Sequence, residues 1–166
     1  MSELEKTLIL IKPDGVERNL IGKIIARYEE AGLKVVDMKM LTPSLDLVER
    51  HYPDSMAESL GRKAEKAGAK IDDYKEHGKK VLNWLRNYLT SGRVVAMILE
   101  GEDAIARART VTGYTDPAAA EKGTIRGDFG EDSILQATKE GRVVRNLIHA
   151  SGDKEEAERE IKLWFG

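Results

Sequence analysis

The chain has 166 residues, which predicts one compact domain with a single sizeable core. Its 27 basic and 29 acidic residues nearly cancel, to a net charge of −2, which argues against nucleic acid or an anionic membrane as the main partner. Hydrophobic residues at 41 % and charged residues at 34 % predict a folded, soluble chain, and the lack of cysteine excludes disulfides, thiolate chemistry and cysteine-based zinc sites.

In chain order, Met1-Ser2-Glu3-Leu4-Glu5 is acidic and has no apolar signal core. No later apolar run approaches the roughly 18 residues of a membrane span, so a cytoplasmic protein is expected. Thr7 to Ile11 is almost wholly apolar and reads as a central strand, stopped by Lys12-Pro13-Asp14-Gly15. Leu20 to Ala31 carries Ile21, Ile24, Ile25 and Tyr28 at helical spacing, with Gly32 as its stop. Leu33 to Leu41 alternates, with Val36, Met38 and Met40 on one face, and predicts a strand covered on that side. Ser44 to Leu89 reads as mostly helical: a charged surface excursion over Glu58–Lys80, then a helix from Gly78 to Leu89 with Val81, Leu82, Leu85 and Leu89 as its apolar stripe. Arg93 to Glu100 is another buried strand and Asp103 to Thr112 a short helix. Gly113 to Gly141 reads as one long irregular loop, a feature that in a compact domain is often functional. Val143 to Ile148 is the last expected strand and Lys154 to Phe165 the last helix. Without the small helices the order is βαββαβ, an α+β, ferredoxin-like antiparallel sheet with helices on one face.

Three histidines are present, His51, His77 and His149. His77 lies among Lys75, Glu76, Gly78 and Lys79 and reads as a solvated loop residue; His51, near a helix end, reads as structural. His149 ends an apolar strand, where a histidine is either a core residue or a nucleophile. The following helix has Ala157, Ile161 and Trp164 on its apolar stripe, and Glu160 falls at the edge of that stripe. An inward carboxylate beside a strand-end imidazole can bond one ring nitrogen and leave the other free to attack, or can form a buried ion pair without chemistry. There is no phosphate-binding Gly-x-x-x-x-Gly-Lys-Ser/Thr loop, so a nucleotide enzyme built on this chain must use side chains. Lys12, Arg109, Thr115 and Arg126 have the right chemistry: cations and a hydroxyl that bond phosphate oxygens and offset their repulsion.

Several segments, taken in order, resemble nucleoside diphosphate kinases over nearly the whole chain: Thr7–Val16, His51-Tyr52, Val94–Met97 with Glu100-Gly101, Thr115-Asp116-Pro117, Gly123–Phe129, Asn146–Ser151 and Ala157–Phe165. The resemblance implies transfer of a γ-phosphoryl group between nucleotides in two half-reactions through a phosphohistidine at His149. It implies that Glu160 orients that ring and that Ser151 supports the carboxylate. Lys12, Tyr52, Arg109, Thr115 and Arg126 would hold the phosphates, with Lys12 and Asn146 also reaching the ribose. The base would lie between Val81 and Leu85, with Trp84 as another stacking side chain. ATP and other nucleoside tri- and diphosphates are the implied partners, and Mg²⁺ the implied cofactor, carried by the phosphates rather than by a protein cage. A homo-oligomer is implied as well.

The chain departs from the family pattern at several places. Ala150-Ser151-Gly152-Asp153 replaces the usual Gly-Ser-Asp after the histidine, and Val81 stands where a phenylalanine is usual. The stretches 54–80 and 130–142 read as insertions in a single 1–166 domain, and the chain ends at Trp164-Phe165-Gly166, where a longer tail is common, which leaves a hexamer, a dimer or another assembly open. Two rival readings follow: a non-catalytic nucleotide-binding or interaction module on the same fold, and a ferredoxin-like nucleic-acid binder. The second needs stacking aromatics, and aromatics are only 5 %.

Overall fold

The structure is a computed structural model and describes residues 4–166. Strands β1 (Leu4–Ile11), β2 (Lys34–Leu41), β3 (Val94–Glu102) and β4 (Ile148–Ala150) form one sheet in the order β2-β3-β1-β4, with every neighbouring pair antiparallel. The helices are α1 (Pro13–Glu17), α2 (Ile21–Glu30), α3 (Leu45–His51), α4 (Ala57–Lys66), α5 (Tyr74–Thr90), α6 (Ala104–Thr112), α7 (Ile125–Phe129), α8 (Ile134–Glu140) and α9 (Lys154–Phe165). The α+β, ferredoxin-like arrangement is therefore present.

The apolar runs of the central strands have a direct physical cause. Along β1, Ile9 and Ile11 enter one core while Leu8 and Leu10 enter another; along β3, Val95, Met97 and Leu99 oppose Val94 and Ala96. Both faces of these strands are dry, so neither can alternate with polar residues. The two helices of the βαββαβ unit share one face: Ile24 and Tyr28 of α2 pack there with Ala104 and Ala108 of α6. The remaining long helices cover the opposite face through Val48 of α3, Leu82, Leu85 and Leu89 of α5, and Trp164 of α9.

Four local expectations change. First, the apolar face of β2 is not covered: Val36, Met38 and Met40 are 40 %, 50 % and 46 % exposed. β2 is an edge strand, and a bulge at Val36 shifts its register on β3. Second, α5 begins at Tyr74 rather than Gly78, because Asp73 caps it by accepting from the backbone N–H groups of Lys75 and Glu76. Gly78 lies inside the helix as a close contact point: a Cβ on it would lie 1.6 Å from the Ala57 carbonyl oxygen. His77 accordingly sits within α5, edge-on to Trp84 at 5.9 Å between ring centroids, not in a solvated loop.

Third, the segment 113–141 is not one irregular loop. It holds a 3-10 turn at Pro117–Ala119 and the short helices α7 and α8, whose N-caps are Thr124 and Ser133. Elements of five and seven residues are too short for a helical period to stand out. Fourth, residues 143–147 are not strand. The last strand is Ile148–Ala150, so His149 lies in its middle, paired with Leu10 of β1. Leu147 interrupts the expected strand, because its φ of +71° is left-handed and incompatible with extended pairing.

Candidate active site

The Leu147 kink is held from both sides by the turn that follows β1. The Leu147 N–H donates to Asp14 Oδ2 at 3.0 Å, and its carbonyl accepts from the Lys12 N–H at 2.8 Å. Asp14 Oδ1 also accepts from the Tyr88 hydroxyl at 3.0 Å. A β-branch-free but bulky residue at positive φ is strained, and such strain persists only where neighbours over-determine it. Here it turns the chain so that Asn146 faces Lys12 while Ile148 and His149 enter the sheet. Asp14 was not singled out from the sequence; the Lys12-Pro13-Asp14-Gly15 turn was its only signal.

His149 is anchored behind by the last helix. Its Nε2 lies 2.8 Å from Glu160 Oε1, and the Ser151 hydroxyl donates to the same oxygen at 2.7 Å. Glu160 is 2 % exposed and Ser151 fully buried. Burial pushes the Glu160 carboxyl up, and His51, Ser151 and Arg159 oppose that shift. A carboxylate acceptor at Nε2 places the ring proton there and leaves Nδ1 as a lone pair; among the described residues Nδ1 has no hydrogen-bond partner. Burial, then Lys12, Arg126 and Arg109, hold the imidazole well below its ordinary pKa, so the ring is neutral at pH 7.

His51 is a second-row partner whose proximity the sequence reading missed, although it adjoins Tyr52 in the chain. Its ring meets that of His149 edge-on at 4.3 Å, and its Nε2 lies 3.8 Å from Glu160 Oε2. His51, His149 and Glu160 therefore bring three potential metal-ligand atoms within 4.8 Å of one another. The Trp164 indole decides against that chemistry. It can only donate, and it donates to His51 Nδ1 at 2.9 Å. The His51 proton must then sit on Nε2, directed toward the carboxylate, where a metal would require a lone pair.

In front of His149 opens a cavity of about 330 Å³. Lys12, Tyr52, Val81, Leu85, Arg109, Thr115, Arg126, Asn146 and His149 all line it; Glu160 and Ser151 stand behind the histidine. Lys12 Nζ donates to Asn146 Oδ1 at 2.8 Å, and Asn146 Nδ2 donates to the Thr115 carbonyl at 3.0 Å, which links the turn, the 113–124 segment and the approach to β4. Arg126 donates to the carbonyls of Asn146, Gly113 and Ile148, and is only 8 % exposed. Arg109 has neither an ion pair nor a hydrogen bond among the described residues. Burial lowers Lys12 to about 7, helped by Arg126. Tyr52 packs edge-on to His149 at 5.7 Å. Trp84, Met56, Leu60 and Lys63 also line the cavity, and of these only Trp84 had been considered from the sequence.

The departure at Gly152 has a local account. Its N–H donates to Glu156 Oε2 at 2.8 Å, and a Cβ there would lie 2.6 Å from that oxygen. The aspartate one position later caps α9, accepting from the Glu156 N–H.

A neutral imidazole with one fixed nitrogen, facing a cavity lined by lysine and arginine side chains, has the chemistry of a phosphotransferase. Comparison with known proteins gives the particular family. A family model for nucleoside diphosphate kinase matches residues 5–66 and 63–166. A nucleoside diphosphate kinase of Pyrobaculum aerophilum is 47 % identical, over 98 % of this chain and 95 % of that protein. A cytosolic nucleoside diphosphate kinase of Dictyostelium discoideum is 42 % identical, over 97 % of this chain and 84 % of that protein. Among solved structures, an NDP kinase from Pyrobaculum aerophilum superposes with a TM-score of 0.92 at 44 % identity, covering 99 % of this chain and 97 % of that one. A transition-state mimic of the Borrelia burgdorferi enzyme, with bound vanadate and ADP, superposes at 0.84 and 36 % identity, covering 98 % and 88 %. The chain belongs to the nucleoside diphosphate kinase family, and it transfers the terminal phosphoryl group of a nucleoside triphosphate to a nucleoside diphosphate.

Proposed function

We propose that His149 is the residue phosphorylated in turnover and that the cavity before it is the shared site for both nucleotides. The observation that carries this reading is the division of labour on the ring: Nε2 is committed to Glu160, and Nδ1 is free and unprotonated. In the first half-reaction the Nδ1 lone pair attacks the γ-phosphorus. The bond from that phosphorus to the β,γ-bridging oxygen breaks, and the diphosphate leaves with the oxygen. In the second, a terminal β-phosphate oxygen of another diphosphate attacks the phosphorus, and the P–N bond breaks back onto Nδ1. The Nε2 proton stays shared with Glu160 throughout, so the positive charge that develops on the ring meets a carboxylate, which Ser151 steadies.

Lys12, Arg109, Arg126, Tyr52 and Thr115 hold the phosphates, and catalysis rests on in-line positioning and cationic stabilisation of the transferring group. Lys12 and Asn146 meet the ribose, and Val81, Leu85 and Trp84 flank the base. Mg²⁺ fits as a passenger of the nucleotide, where it neutralises phosphate charge. Glu156 is the one carboxylate lining the cavity among the described residues, and it already accepts from Gly152, so the donor set favours phosphates over a protein cage. The uncovered apolar face of the edge strand β2 supports a homo-oligomer. Residues 1–166 act as one domain, with 54–80 and 130–142 as excursions that wall the cavity. Among the described residues no helix is long and apolar enough to cross a membrane. A cytoplasmic location agrees with the name of the Dictyostelium relative.

The test is covalent labelling. Incubation with Mg²⁺ and γ-labelled ATP is expected to give acid-labile, alkali-stable label on the wild type and none on His149→Ala. Label retained by His149→Ala would overturn the assignment.

A further inference from the structure

The excursion 54–80 contributes a charge to the cavity beyond the phosphate-handling residues named above. Helix α4 buries Ala57, Gly61 and Ala64 against α5. The two backbones touch: a Cβ on Gly61 would lie 2.0 Å from the Tyr74 carbonyl oxygen, and one on Gly78 would lie 1.6 Å from that of Ala57. A side chain at either glycine would force the helices apart, so the rotation of α4 about its axis is fixed. That rotation presents Met56, Ser59, Leu60, Lys63 and Ala64 to the cavity, and Lys63 is the only charged group among them.

The surroundings of Lys63 are unfavourable in the free protein. It shares the cavity wall with Lys12, Arg109 and Arg126. Desolvation and then the like charges of Arg126 and Arg109 pull its pKa down, and Glu156 opposes them. Glu156 lies beyond ion-pair reach and already accepts from the Gly152 N–H. Among the described residues Lys63 makes no ion pair and no hydrogen bond. Lys63 is solvent-exposed at the cavity rim, so solvent screens this repulsion and its cost in the empty site is small; an entering polyphosphate replaces it with attraction.

We propose that Lys63 is a phosphate-binding residue of the nucleotide site, delivered to the polyphosphate by the glycine-locked α4–α5 hairpin. The inference rests on the nucleotide reading of the cavity given above. Lys63 supplies a mobile point charge, in contrast to Arg126, whose guanidinium is already tied to three carbonyls.

Equilibrium binding of ADP to the full chain tests it, using Lys63→Met, Lys63→Arg, Arg109→Met and, as a control on the outer face of the same helix, Lys66→Met. Lys63→Met is expected to raise the Kd for ADP about tenfold, in the range for one charge-assisted hydrogen bond. It should also flatten the salt dependence of binding, while Lys63→Arg restores both and Lys66→Met matches the wild type. In thermal melts without ligand, Lys63→Met should be as stable as the wild type or more so, because a repulsion is removed, yet gain less from ADP. A structural role for Lys63 predicts the reverse, a lower melting temperature without ligand. If Lys63→Met binds ADP within about twofold of the wild type while Arg109→Met is weakened, the inference fails and the nucleotide site stands. If Arg109→Met is also unaffected, the nucleotide reading fails with it.

Discussion

Lys12 is a buried ammonium whose pKa of about 7 leaves it only partly charged in the free protein at neutral pH. An anionic nucleotide must raise that pKa. Binding above pH 7 should then take up a proton, and affinity should fall as pH rises through the raised value. Calorimetry at pH 8 in buffers of different ionisation enthalpy measures this directly; zero net uptake would remove Lys12 from the phosphate contacts. His149 shifts in the same direction with the opposite consequence. In the role proposed for it, its neutral form is the reactive one, and its pKa is depressed, so phosphorylation should persist below the ordinary histidine value of about 6.5 before it fails. The single-turnover labelling rate against pH checks this, and an acid limb at or above 6.5 would contradict it. Most residues around His149 were legible in the sequence because chemistry constrains their type: an imidazole at a strand, an inward acid, and cations next to glycine and proline turns. His51 and Lys63 were not, because their meaning comes from the Trp164 indole and the angle of α4, and neither has a local signature.

At the level of elements, the approach to β4 matters most. Leu147 takes a left-handed conformation because Asp14 and Lys12 hold both of its backbone groups. Asp14→Ala would strand the buried Leu147 N–H and take the acceptor from the part-buried Tyr88 hydroxyl. The expected loss is about 2–4 kcal/mol of stability, together with a fall in kcat as His149 is misplaced. Chemical denaturation and steady-state kinetics report both; an unchanged midpoint would mean that the kink is held by other contacts. The long, doubly buried strands and the amphipathic helix α2 were legible as patterns. The expected Val143–Ile148 strand was not corrected by any local feature, since an apolar run cannot reveal a single positive φ. The start of α5 was placed at Gly78, four residues late; that glycine lies inside the helix where the Ala57 backbone approaches, a contact with no local signature in the sequence.

At the scale of the whole molecule, helices cover both faces of the sheet, yet its β2 edge keeps three apolar side chains in water. In the homo-oligomer proposed above, a second copy seated on that face would take these side chains out of water. Met38→Lys is expected to shift the protein toward monomer in sedimentation velocity, with the labelling of His149 retained. A wild type that sediments as a monomer at micromolar concentration would refute the oligomer. The alternation of Val36, Met38 and Met40 was legible; what covers them was not, because one chain's sequence does not distinguish its own core from a neighbour's.

The pairing of the first strand with the last has a kinetic corollary. The Leu8 N–H donates to Ser151 Oγ across 143 residues of sequence, and the His149 strand closes on β1 at the same place. Contacts of such high separation form late, after local helices and hairpins. During refolding from denaturant, far-UV ellipticity should recover first and phosphotransfer last, so the enzyme's own turnover is a clock for the closing of its last strand on its first.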